Sequence, residues 1–177
     1  SVCNVVKVFR NTRILQIAPR PFDFWSTMCN EGELLERFNI QLSPIPMPEL
    51  TDAVKLAKTE GRADVDAVVA YCRENMNIKI KDEELLNVAA LKVAMKNLAV
   101  SYGCNAIAIQ CWNALQGELG IMPCAANSLL NEEGIPVVCE TDIHGAITSL
   151  LVEAATLDDT RSFFADGTVR HPDNENG

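Results

Sequence analysis

Three acidic residues sit where this sequence could do chemistry. Glu140 and Asp142 flank Thr141 at the end of the apolar run IPVVC, and Asp166 closes SFFAD just ahead of Gly167. A carboxylate at the mouth of a strand can ligate a divalent metal or act as a general acid or base. It can as readily belong to the turn: Asp142, directly before a helical pattern, has the residue type of an N-cap. In strand alternation Phe164 and Asp166 share a face, which puts the second carboxylate beside an apolar wall, where burial raises a carboxyl pKa. An Asp-Gly pair is equally a turn signal.

The other candidates are single residues. Trp112 follows the strand-like AIAIQ and could pack in the core or stack on a sugar ring; with Asp142 it is carried forward as a substrate-contacting candidate. His144 stands four residues after Glu140, and His171 precedes Pro172 in a polar stretch; a lone histidine is more often structural than ligating. Arg20, in Pro-Arg-Pro, could hold an anion or a sugar hydroxyl. The glycines at 103, 117, 120, 134 and 145 form neither GxGxxG nor GxxxxGK, so no phosphate loop is encoded. Ser128 has no neighbouring His and Asp to make a triad.

The elements that must position these residues alternate. Apolar runs predict strands over 14–18, 39–45, 106–110 and 135–139, and helical spacing predicts helices over 22–38, 48–60, 64–75, Asp82–Ser101, 122–131 and 142–155. Asp82 is the expected N-cap of the longest helix and Gly103 its C-cap. Residues 111–120 read as a loop. Strand–helix alternation predicts an α/β domain of three layers, Rossmann-like or flavodoxin-like, with a largely parallel sheet flanked by helices. Ligands bind such sheets outside the carboxyl ends of the strands, which is where Glu140 falls.

Bulk properties narrow the classes. With 48% hydrophobic and 22% charged residues in 177, the chain can fold as one domain. A net charge of −9 leaves no basic surplus for a nucleic-acid backbone or an anionic membrane. Seven cysteines form no CxxC pair and are odd in number, so reduced, buried thiols in a cytoplasmic protein are expected rather than a disulfide framework. No signal peptide or bilayer-length apolar run is present. The chain starts at Ser1 and stops in HPDNENG, and both ends read as cut from a longer protein.

At these same residues the sequence resembles the L-fucose isomerase and L-arabinose isomerase superfamily, and more closely the L-fucose isomerase-like proteins. The matching segments are AIAIQCW, GIMPCAANSLLNEEGIPVVCETDIHGA and FFADGTVRHPDN, strong over 100–177 and weaker over 10–60. The resemblance implies that residues 1–165 are the middle domain and 166–177 the start of a C-terminal part. It implies that Glu140 and Asp166, 26 positions apart, bind manganese or magnesium and are the acid/base pair of aldose–ketose isomerisation through an enediol, with Asp142 in support. A third ligand, a histidine, would come from outside this chain. The chain alone is therefore expected to be inactive and to hold metal weakly or not at all. The whole protein is expected to act on a monosaccharide as a trimer or hexamer. The competing expectation is a non-catalytic α/β module that binds a small molecule such as a sugar, with the two carboxylates apart or tied up in salt bridges.

Overall fold

The structure is a computed structural model and describes residues 2–157 and 159–165. Among the described residues four strands, β1 (Arg13–Ile17), β2 (Gln41–Ile45), β3 (Ala106–Ile109) and β4 (Val137–Val138), form one parallel sheet in the order β2-β1-β3-β4. Pro44 is tolerated because β2 is an edge strand and can spare an N–H. The other edge, β4, is only two residues long, and the Val137 N–H donates to the Asn131 side-chain oxygen at 2.6 Å.

Strand alternation divides the sheet residues between two cores. Ile14, Ala106, Ala108 and Val138 face α1 (Val2–Arg10), α2 (Glu31–Phe38) and the last helix, Ile143–Ala155. Leu15, Ile17, Ile45, Ile107, Ile109 and Val137 face α3 (Met47–Thr59), α4 (Arg62–Asn75) and α5 (Asp82–Ser101). Between β3 and β4 lie α6 (Leu115–Leu119) and α7 (Cys124–Glu132); the helix after β4 is α8. The three-layer α/β expectation holds. Among the described residues no helix is long and apolar enough to cross a membrane.

The chain leaves β1 toward β2 through α2 on one face and returns to β3 through α3–α5 on the other. Opposite faces for opposite directions of travel are what right-handed crossovers require. The order of the sheet thus reverses between β1 and β3, which opens the ligand crevice of such folds at their carboxyl ends.

Several local expectations change. The pattern over 22–38 splits into a 3₁₀ turn at Trp25–Thr27 and α2, whose cap is Asn30, accepting from Glu33 N at 3.1 Å. Asp82 is the first residue of α5 rather than its cap; Lys81 takes that place, and its N–H donates to Glu84 at 2.8 Å. Ahead of β1, Val2–Arg10 forms amphipathic α1, packed against α8, and the expected loop over 111–120 contains α6. Such short helices owe their existence to packing rather than propensity.

Candidate functional site at the carboxyl ends of the strands

Left-handed residues stand in the loops that follow the strands at the crevice. Ala18 (φ 64°) follows β1, Asn113 (φ 59°) follows β3, and Glu140 and Thr141 (both φ 55°) follow β4. A left-handed residue without the freedom of glycine costs about 1–2 kcal/mol, and a β-branched one is a genuine outlier. At Glu140–Thr141 the surroundings hold the strain. The Thr141 N–H donates to Ile109 O at 3.1 Å and its hydroxyl to Pro19 O at 3.3 Å, tying the β4 turn to the ends of β3 and β1. The turn folds Glu140 inward until it is 7% exposed. Strain of this kind concentrates at functional sites.

Buried with Glu140 are two sulfurs. The Cys111 sulfur, just past β3, stands 3.1 Å from Glu140 Oε1, at hydrogen-bond distance. Cys139 completes a cluster in which one ligand atom from each of the three residues lies within 4.8 Å of the others. The Asn127 amide of α7 donates to the Cys139 sulfur at 3.5 Å. Hydrogen bonds from the Cys139 thiol and from the backbone of Glu140 and Trp112 outweigh burial and hold Cys111 down to about 5. The Cys139 thiol is pushed up, by the proton it shares with Cys111 and by burial.

Of the residues expected in the site, Glu140 is buried at the mouth. Asp142 caps α8, its Oδ1 accepting from Gly145 N at 3.0 Å. Gly145 leaves room for that cap: a Cβ there would stand 2.7 Å from Asp142 Oδ2 and 2.9 Å from Phe164 Cε2. Trp112 is half exposed, its ring 6.4 Å from that of Phe24, so it lies on the rim of the crevice and not in the core. Arg20 is occupied locally, donating to the carbonyls of Pro21 and Phe22, with its guanidinium 4.8 Å from the Trp25 ring centroid. His144 is exposed on α8. Asp166 and His171 lie outside the described residues.

The stretch leading to Asp166 is anchored by a residue that sequence reading passed over. Glu153, buried in α8, accepts from the Ser162 N–H at 2.9 Å and hydroxyl at 2.7 Å, and pairs with Arg161 at 3.5 Å. Asn131 donates to Ser162 O at 3.4 Å. These bonds lay residues 161–165 along α8, so that Ala165 and Phe164 line one cavity with Asp142 and Gly145.

Cys111 and Cys139 were also passed over, as small hydrophobes. Cys72 fits that description, buried against Leu85 and Leu129, whereas Cys3 and Cys124 are exposed. The usable signal was positional: AIAIQC and PVVC both end strand-like runs in cysteine, and parallel neighbours would bring those ends together. The oxygen-rich site implied for manganese or magnesium would pair Glu140 with Asp166, which lies outside the described residues; the cluster of Cys111, Cys139 and Glu140 is a different donor set, two of its three atoms being sulfur.

No family model matches the chain. It is similar to the sulfoquinovose isomerases of Priestia aryabhattai and Priestia megaterium, 26% identical over 153 residues that cover 86% of this chain and 34% of each relative. To the sulfoquinovose isomerase of Alkalicoccus urumqiensis it is 28% identical over 153 residues, 85% of this chain and 34% of that protein. The chain spans about a third of the length of these curated relatives. The likeness supports kinship with sugar isomerases.

Proposed function

We propose that this chain is the sheet domain of a sugar aldose–ketose isomerase, with Glu140 as one carboxylate of its acid–base pair and Asp166 as the other. Isomerisation moves a proton between C1 and C2 of an open-chain aldose. A carboxylate held still and shielded from water at that carbon can take the proton and return it. One observation carries the reading: Glu140 is buried at the strand mouth by a strained turn, while Glu153 and Asn131 anchor Ser162 and the segment runs back along α8 until Phe164 and Ala165 share a cavity with Asp142 and Gly145 at the helix's start. Trp112, half exposed on the rim, offers a face for the apolar side of a sugar ring. The names of the relatives make sulfoquinovose the first aldose to offer, with L-fucose and L-arabinose beside it.

The test is an isomerase assay in D2O on the gene product containing this chain, with and without manganese or magnesium. The expected result is ketose formation with solvent deuterium incorporated, and a fall of about 10²–10⁴-fold in Glu140→Gln with unchanged circular dichroism. Full activity in Glu140→Gln removes Glu140 from the chemistry. Binding of an aldose without turnover or exchange overturns the isomerase reading in favour of a binding module.

A further inference from the structure

We propose that Cys111, Cys139 and Glu140 form a binding site for one thiophilic divalent cation, zinc being the natural occupant. The donors come from the ends of two adjacent strands, β3 and β4, and are held by the backbone that strains Glu140 and Thr141. Zinc binds thiolate sulfur at about 2.3 Å and carboxylate oxygen at about 2.0–2.2 Å, so tetrahedral ligands stand about 3.5–3.8 Å apart. The Cys111–Glu140 separation of 3.1 Å and the 4.8 Å limit on the whole set bracket that spacing, and small side-chain rotations close the difference. Two thiolates and a carboxylate more than offset the charge of the ion, and three protein ligands leave the fourth position open.

A second observation points to a ligand. The Asn127 carboxamide reaches Cys139 through its nitrogen, and its oxygen is buried with no hydrogen bond among the described residues. Asn127 is 5% exposed, so that oxygen is an acceptor in want of a donor beside the sulfur cluster. Water on the fourth position of the ion supplies one. Entry is provided by a cavity of about 420 Å³ lined by Asn127, Ser128, Cys139 and Phe164. The ion would also claim the Glu140 carboxylate, so in an isomerase built on this chain zinc inhibits.

The test uses the 177-residue chain, reduced and metal-free, titrated anaerobically with cobalt(II) as the spectroscopic probe. The expected result is one equivalent of cobalt bound, a sulfur-to-cobalt charge-transfer band in the near ultraviolet, tetrahedral visible bands, and loss of both on adding zinc but not manganese. Cys111→Ser and Cys139→Ser should each shift or abolish the charge-transfer band, Glu140→Gln should weaken binding at least tenfold, and Cys72→Ser should leave the spectrum unchanged. Absence of the charge-transfer band in the parent chain, or its survival in both site variants, overturns the proposal. Circular dichroism of each variant separates loss of ligand from loss of fold. The readout needs no turnover, so the cation site and the isomerase reading stand or fall separately.

Discussion

Asp142 caps α8, one of the two roles its position allows, and substitution there measures what the cap contributes. Its Oδ1 satisfies the Gly145 N–H, one of the donors at the start of α8 with no partner in the helix. Removing such a cap costs about 0.5–2 kcal/mol, and removing a negative charge from a helix N-terminus about 0.3–1 kcal/mol more. Asp142→Ala loses both, for about 1–3 kcal/mol. Asp142→Asn keeps the acceptor and loses only the charge, for about 0.3–1 kcal/mol. In a chain of this size each kcal/mol moves Tm by about 2–4 °C. The Ala variant should therefore melt about 2–12 °C lower and the Asn variant about 1–4 °C lower, followed by circular dichroism at 222 nm, the helix signal. An Ala variant as stable as the parent, or an Asn variant as damaged as the Ala one, refutes the capping account.

Two further predictions concern packing around the same layers. Gly145→Ala places a Cβ within 2.7 Å of Asp142 Oδ2 and 2.9 Å of Phe164 Cε2, so after the better helix propensity of Ala is counted it should cost about 1–2 kcal/mol. In a double-mutant cycle with Asp142→Ala that cost should shrink, because the clash (Oδ2) and the cap (Oδ1) are made by the two oxygens of one carboxylate; strict additivity sinks the explanation. The other prediction concerns Lys92, an ammonium buried in α5 that pairs with Glu133, which also binds Lys96 at 2.8 Å. Burial raises the Glu133 carboxyl, but hydrogen bonds and charge from Lys92 and Lys96 outweigh it and hold the pKa below its ordinary 4.5. The resulting stability is present above about pH 4.5 and lost as pH falls through the lower folded value. Glu133→Gln should cost about 1–2 kcal/mol near neutral pH, a buried-pair loss discounted for the partly exposed carboxylate. Lys92→Met should cost less or stabilise; urea titrations showing the reverse order contradict this.

What the sequence determined was the set of local elements and one end of the site. Apolar runs bounded by turn residues marked β1 and β3, helical spacing marked α5 over Asp82–Ser101, and IPVVCE placed Glu140 at the end of a strand. These are properties of neighbouring residues, and local pattern carries them. The tertiary structure decided everything that depends on residues far apart in the chain. Sheet order set the crevice between β1 and β3. Bonds from Thr141 to Ile109 and Pro19 made a left-handed turn affordable at Glu140, against every local preference of Glu and Thr. Cys111 and Cys139 met because parallel neighbours end side by side, and Glu153 of α8 held Ser162 nine residues on because the chain folds back along that helix. Asp142 was read both ways from its position, and the 3.0 Å bond to Gly145 establishes that it caps α8. Short-range preference selects elements, while strain, pairing and burial are settled by what packs against them.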